Sequence, residues 1–227
     1  MPDFYDRLIN ETDADRQAFI SIPLIRRTVS DGTTGPVYLA FLEQAYHHVR
    51  HTCNLLALAA ARCEPADTAY QNSLYDYINE EKGHELWILD DISAMGGDAG
   101  AASAREPHPA CAAMVGYMYY AIEYKSPYCL LGMIHVLEGM SALLAQEAAE
   151  AIGRSLGVSP GQAGFVYLTS HGALDIEHVD YFKGVVNAVS NPLQHRAIVE
   201  SARIIYHLYG NIFRALGQSE EGHRDDA

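Results

Sequence analysis

The chain has 227 residues, of which 49% are hydrophobic, and its 29 Asp and Glu residues outnumber 15 Lys and Arg residues to give a formal net charge of −14. This length suits one domain with a substantial core, and acidity without a basic run argues against nucleic acid or an anionic membrane surface as partner. The four cysteines form no CxxC, so we expect them to be reduced. No signal-peptide pattern opens the chain, and no apolar run reaches the roughly 18 residues of a membrane span. We expect a soluble, cytoplasmic protein with one domain over residues 1–217 and a polar, disordered tail at 218–227.

Helical periodicity governs the chain. Apolar residues recur at intervals of three and four, as in Leu39, Leu42, Tyr46 and Val49. A capping residue followed by Pro marks helix starts at 126–127, 159–160 and 191–192. The predicted helices are 4–30 (broken near Pro23), 36–63, 66–95, 108–124, 127–156, 160–190 (bent near Gly172) and 192–216. Seven helices with short connections and no convincing strand predict an all-α bundle.

The second and third predicted helices carry the first ligand-type residues. In the second helix Glu43, His47 and His51 lie on one drifting stripe, although His47 and His48 taken singly suit hydrogen-bonded core histidines better. The third helix contains Glu81-x-x-His84, a pair on one helical face. The zinc-protease motif is excluded there, because His84-Glu85 is followed by Ile88 where that motif requires His.

The fifth and sixth predicted helices carry the second set. Glu138 stands in an apolar segment with His135, and a buried carboxylate needs a partner, either a basic residue of another helix or a metal. At ~100° per residue, His171, Asp175 and His178 share one face of the sixth helix. A pair of surface salt bridges is the alternative explanation for that face.

These residues occur in an order that helical di-iron proteins use. Such bundles take one carboxylate from each of two helices and a carboxylate-x-x-His pair from each of two others. The sequence offers Glu43, Glu81-x-x-His84, Glu138 and Asp175-x-x-His178, with His171 as an additional nitrogen. Bridging carboxylates offset the charge of two cations, and imidazoles suit iron.

The chain resembles the heme-oxygenase-like di-iron oxidases and oxygenases, within the fold shared by thiaminase II (TenA) and the pyrroloquinoline-quinone synthase. The resemblance covers about residues 4–216, and its most specific motif is His171-x-x-x-Asp175-x-x-His178, combined with His84 and Glu138. It implies a seven-helix heme-oxygenase-like bundle. Some members place the remaining carboxylate seven residues before the first His, where this chain has Tyr77. Glu81, Glu43 or both would then complete the ligand set.

The resemblance also implies a function. Members of the family hold two non-heme iron ions, use O2 as co-substrate, and oxidise small amino or carboxylic acids by N-oxygenation, oxidative C–C cleavage or decarboxylation. The implied cofactor is therefore a pair of Fe ions without heme, supplied with electrons by an external donor where the reaction requires one. We expect a small-molecule substrate, with His47, His51, Tyr77 and His135 as further pocket or supporting residues. No catalytic residue beyond the metal ligands is predicted.

Two other functions are considered. A cofactor-independent hydrolase of the thiaminase type would use a pocket cysteine, for which Cys129 is the nearest match. A non-catalytic helical binding protein would need only an apolar pocket, and gives no reason to place ionisable groups on inward faces. A homodimer is compatible with apolar residues of the last helix, namely Ile204, Ile205, Leu208 and Ile212.

Overall fold

The structure is a computed structural model that describes residues 3–161 and 163–225, with the side chains of 171–177 and 220–225 outside the described residues. Its first segment folds into α1 (Phe4–Glu11), α2 (Asp13–Ile20) and α3 (Pro23–Asp31). Asp3 caps α1 by accepting a hydrogen bond from the Asp6 amide, and Pro23 begins α3 as predicted. An additional interruption at Thr12 divides the segment that was expected to be continuous up to Pro23.

The next two predicted helices are each divided as well. The first becomes α4 (Gly35–Val49) and α5 (Thr52–Arg62), and the second becomes α6 (Thr68–Glu81) and α7 (His84–Ala94) after a short 3-10 turn at Pro65–Asp67. Gly83 separates α6 from α7 with a φ of 96°, a left-handed conformation in which a residue with a Cβ is strained. A short helix, α8 (Ala99–Ala104), follows.

The second half contains the long helices α9 (Pro109–Tyr124), α10 (Cys129–Leu156), α11 (Val166–Ala188) and α12 (Pro192–Asp225). No strand occurs in the described part of the chain, so the prediction of an all-α fold is confirmed. Helix α12 runs beyond the predicted end at 216, into the segment expected to be a disordered tail. The predicted division into a domain over residues 1–217 and a tail over 218–227 remains a prediction.

Helix α10 is the centre of the bundle and packs on α3, α9, α11 and α12. Gly132 permits the closest approach, because a Cβ there would stand 2.6 Å from the Ala202 nitrogen and from the Ile198 oxygen of α12. By length and composition α10 is also apolar enough to span a membrane, and half of its most apolar window is buried inside the protein.

Two hydrophobic clusters of buried residues make up the core. The first cluster joins α1, α5, α6, α9 and α12 to the first half of α10 and the second half of α11. The second cluster joins α4 and α7 to the second half of α10 and the start of α11. Ile205 and Ile212, two of the four residues considered for a dimer contact, are buried within the first cluster with exposures of 0% and 2%, so they are not available for such a contact.

Candidate metal centre

The interruption at Gly83 shapes the first part of the site. Glu81 is the last residue of α6 and His84 is the first residue of α7, so this pair does not lie on one continuous helix as the sequence predicted. The left-handed turn nevertheless brings Glu81 Oε2 to 3.2 Å from His84 Nδ1. Both side chains are buried, with side-chain exposures of 10% and 7%.

Two further helices complete the cluster. Glu81, Glu138 of α10 and His178 of α11 each offer a ligand atom, and these three atoms lie within 4.8 Å of one another. We call Glu81, His84, Glu138 and His178 the metal-ligand cluster. Its two carboxylates and two imidazoles come from four helices, and such a mixed oxygen and nitrogen set suits iron. The residues present therefore fit the iron predicted from the sequence.

Neighbouring side chains support the imidazoles of the cluster. The His84 ring stacks on Trp87 with 4.0 Å between ring centroids, and Trp87 is the single tryptophan of the chain. His178 Nε2 lies 3.6 Å from Glu80 Oε2, while Glu80 itself is about half exposed. A carboxylate on the outer nitrogen of a ligating histidine commonly fixes the orientation of its ring. At 3.6 Å the contact between Glu80 and His178 is an electrostatic one, longer than a hydrogen bond.

Tyr77 lies one turn before Glu81 on α6 and is 1% exposed. Its hydroxyl has no hydrogen-bond partner among the described residues. Burial raises the pKa of Tyr77 well above its usual value, and the nearby Glu138 carboxylate raises it further. The phenol is therefore neutral in this structure and stands next to the cluster.

A cavity of about 190 Å³ opens onto the cluster. Tyr77, Glu81 and Glu138 contribute to its wall, and most of the remaining wall is aliphatic or aromatic. The wall residues on α10 extend from Leu130 to Ile152, which corresponds to about 33 Å of helix at 1.5 Å per residue. The cavity thus follows α10 past both sides of Glu138.

The start of α11 is held by a buried carboxylate of α7. Asp91 is fully buried and accepts hydrogen bonds from the backbone amides of Gly164, Val166 and Tyr167. Burial raises the pKa of Asp91, and the three amide donors oppose that rise. Since α7 begins at His84 and α11 carries His178, Asp91 fixes the two histidine-bearing helices to each other.

Glu43 is a predicted metal ligand that the structure places elsewhere. Its Oε2 lies 2.7 Å from Arg105 Nη1, so an arginine already neutralises this carboxylate. Glu43 is absent from the cavity wall and from the group of possible ligands among the described residues. The side chains of His171 and Asp175 lie outside the described residues, and their role as ligands remains a prediction.

Four further residues were predicted near the site, namely His47, His51, Tyr77 and His135. Of these, only Tyr77 contributes to the described cavity wall. His47 is buried at an edge of the Tyr46 ring, and burial lowers its pKa. His51 is hydrogen-bonded to the Tyr119 hydroxyl at 3.0 Å. His135 packs on the rings of Phe182 and Tyr206, and its Nε2 is 3.3 Å from Thr12 Oγ1. His47 and His135 pack against other neighbours on α4 and α10, whereas His51 lies at the junction between α4 and α5 and not within a helix.

The structure also shows site residues that the sequence did not single out. His48 contributes to the cavity wall and meets the Tyr209 ring edge-on, whereas its neighbour His47 does not reach the cavity. The available signal was the spacing His48, Thr52, Leu56, one residue every four along α4 and α5. Glu80 was hidden because it precedes the more obvious Glu81-x-x-His84 pair.

Comparison with known proteins identifies the family. Residues 39–210 match the family described as iron-containing redox enzymes with a heme-oxygenase-like fold. The chain belongs to this family. The matched range contains all four residues of the metal-ligand cluster, and it supports an oxidoreductase that contains iron. No curated protein sequence matches the chain significantly.

Solved structures confirm the heme-oxygenase-like fold. A domain of unknown function from Shewanella denitrificans superimposes with a TM-score of 0.87 at 18% identity, covering 100% of this chain and 97% of that one. A TenA homologue from Pseudomonas syringae gives 0.79 at 12% identity, with 96% and 93% covered. Heme oxygenase-1 from the cyanobacterium Synechocystis, solved with heme, gives 0.74 at 10% identity, with 99% of each chain covered. At these identities the likeness concerns the fold alone.

Proposed function

We propose that the protein is a non-heme di-iron oxidase or oxygenase that uses O2 to oxidise a small organic substrate held in the cavity beside Glu138. The observation that carries this proposal is the group of two carboxylates and two imidazoles from four helices, with both carboxylates on the wall of a mostly apolar cavity. Glu81, His84 and His178 are buried, and Glu138 is partly buried. Such a group of ionisable side chains costs stability unless a cation compensates it. The family to which the chain belongs supports iron as that cation.

The residues of the chain have separable tasks in this function. Glu81 and Glu138 supply oxygen ligands, His84 and His178 supply nitrogen ligands, and we propose that His171 and Asp175 of α11 complete the set. Bound iron would supply the redox chemistry that activates O2. Glu80 orients the His178 ring through its carboxylate. The mostly aliphatic and aromatic wall would limit water beside a bound substrate and so protect it from side reactions during oxidation.

The thiaminase-type alternative has less support. Cys129, its nearest nucleophile, is 0% exposed in the first hydrophobic cluster and does not contribute to the cavity wall. Burial raises the pKa of this thiol, whereas a nucleophilic cysteine needs a lowered one. We propose a cytoplasmic location for the enzyme, with no nucleic-acid or membrane partner.

The test is anaerobic titration of the metal-free protein with Fe(II), followed by Trp87 fluorescence and by the iron content after desalting. The stacking of Trp87 on His84 should make quenching report metal at the cluster. We expect two iron ions per chain and oxidation of the bound iron on mixing with O2. His178→Ala and Glu138→Ala should each reduce binding, whereas His207→Ala and Glu147→Ala on the exposed surface should not. Binding of less than one iron per chain would contradict the proposal.

A further inference from the structure

The chemistry of the cavity wall indicates what kind of substrate can enter it. Among the described residues, no Lys or Arg contributes to this wall, and its two carboxylates, Glu81 and Glu138, belong to the metal-ligand cluster. Away from the cluster the wall is formed by residues such as Leu137, Leu144, Phe213 and Ile152. A substrate with a second charged group, such as a basic amino acid, would therefore bury that charge without a counter-ion, which costs several kcal/mol.

Away from the cluster, the polar residues on the described wall are seven that carry a hydroxyl group and one histidine, and none is a carboxylate, Lys or Arg. The hydroxyl groups include those of Thr28 and Ser141, and the histidine is His48, which meets Tyr209. Hydroxyl groups can form hydrogen bonds with a ligand, but they do not neutralise a fixed charge. The wall is thus built to surround an uncharged body.

The size of the cavity limits the size of that body. An apolar cavity of roughly 150 Å³ holds benzene. By the same measure the cavity of about 190 Å³ holds about eight carbon atoms. Because its wall follows α10 over many turns, an extended chain or a substituted ring uses this space better than a compact polar molecule.

From these observations we infer that the substrate has one polar group, placed at the metal-ligand cluster, and an uncharged apolar body of about eight carbon atoms that fills the cavity along α10. The inference rests on the proposed function for the position of the polar group alone. Binding of the apolar body depends on the wall, and it is expected with or without metal.

The experiment compares ligands of equal length on the wild-type protein. Octan-1-ol, octanoate, octylamine and 8-aminooctanoate are titrated by calorimetry into metal-free and Fe(II)-loaded protein under nitrogen. We expect 8-aminooctanoate to bind about 100-fold or more weakly than octanoate to the loaded protein, because its second charge reaches the apolar wall. The first three ligands show which polar group the cluster prefers. Equal affinity for octanoate and 8-aminooctanoate would overturn the inference.

Chain length provides a second measure that needs no variant. From butan-1-ol to octan-1-ol, affinity for the metal-free protein should rise about fourfold for each added methylene, and the rise should stop once the cavity is full. Affinity independent of length would contradict an apolar binding cavity.

A variant locates the binding. Ala148→Leu adds volume at the cavity wall and should shorten the longest alcohol accepted by about two carbons, while Ala112→Leu on the exposed face of α9 should leave the series unchanged. Thermal unfolding shows whether each variant is folded. If iron fails to bind while alcohols bind with the expected length dependence, the proposed function is wrong and the inference about the cavity stands. The opposite result rejects the inference and leaves the proposed function intact.

Discussion

The Asp91 carboxylate accepts a 2.7 Å hydrogen bond from the backbone amide of Tyr167, and thereby caps the first turn of α11 from a neighbouring helix. Two more amides, those of Gly164 and Val166, donate to the same side chain. A carboxylate at a helix N-terminus interacts favourably with the N–H groups that the helix leaves unpaired. The histidine-bearing helices α7 and α11 are joined through this one side chain.

Asp91→Ala should therefore destabilise the protein substantially. The change leaves the buried Gly164 amide and the partly buried amides of Val166 and Tyr167 without their acceptor. A buried unsatisfied group costs about 1–3 kcal/mol, whereas water can satisfy a partly exposed one, so we expect a loss of about 2–3 kcal/mol in urea unfolding. Asp90→Asn on the exposed side of α7 is the matched control and should change stability by less than about 0.5 kcal/mol. A loss at Asp91 no larger than at Asp90 would show that the cap is energetically unimportant.

The second prediction concerns the left-handed turn at Gly83. Gly83→Ala forces a Cβ into the left-handed conformation and should cost about 1–2 kcal/mol in unfolding free energy. It should also weaken Fe(II) binding, since relaxation of this turn separates Glu81 from His84. Gly116→Ala, in an exposed and open position of α9, is expected to stabilise the protein by about 0.5–1 kcal/mol. If both variants shift stability in the same direction, the conformational argument fails.

Glu80 is predicted to act on metal affinity through His178. Glu80→Gln removes the charge that faces His178 Nε2, and loss of such a partner typically lowers affinity about 10–100-fold. The dissociation constant for Fe(II), followed by Trp87 fluorescence, measures the effect. Glu147→Gln removes an equal charge from an exposed position and should leave the constant unchanged, so equal constants for the two variants would exclude the role of Glu80.

The burial of His135 leads to a prediction about how the free energy of unfolding depends on pH. Burial lowers the pKa of His135 to about 4, with a smaller contribution from the positive charge of Arg16. Between pH 6.5 and about 4 the unfolded chain therefore binds a proton that the native state does not, and stability falls as the pH falls, by up to about 1.4 kcal/mol per pH unit. His135→Phe should flatten this dependence in denaturant titrations at several pH values. The same substitution at exposed His207 should not change it.

The sequence contains enough information for the class of fold and for the chemical types at the site. Glu138 shows why: a carboxylate in an apolar helix requires a compensating group, and that requirement can be seen without coordinates. The structure places Glu138 beside Glu81 and His178. The predicted all-α bundle is confirmed, although several of its predicted helices are divided into shorter ones. The division at Gly83 is local, because a glycine there adopts a left-handed conformation and an added Cβ would meet no other atom within 4 Å.

Individual faces were harder to predict. His47 and His48 differ by one residue, which rotates a side chain by ~100° around the helix, and this rotation decides that His48 and not His47 reaches the cavity. Glu43 matched the expected spacing of ligands, yet Arg105, 62 positions away in the chain, neutralises it. This long-range ion pair depends on the packing of α4 against α8, which cannot be predicted from the local sequence around either residue.

The two hydrophobic clusters meet at the metal-ligand cluster. On α10, Glu138 lies close to the change from residues of the first cluster, ending with Met140, to residues of the second, beginning with Ala145. On α11, His178 lies between Leu168 of the second cluster and Phe182 of the first. An ion held by these side chains would link the two halves of the core, and its binding to the native state would add to the free energy of unfolding. Iron supply should, for that reason, set the free energy of unfolding of the whole bundle, since an ion that binds only the native state raises this free energy as its concentration rises above the dissociation constant.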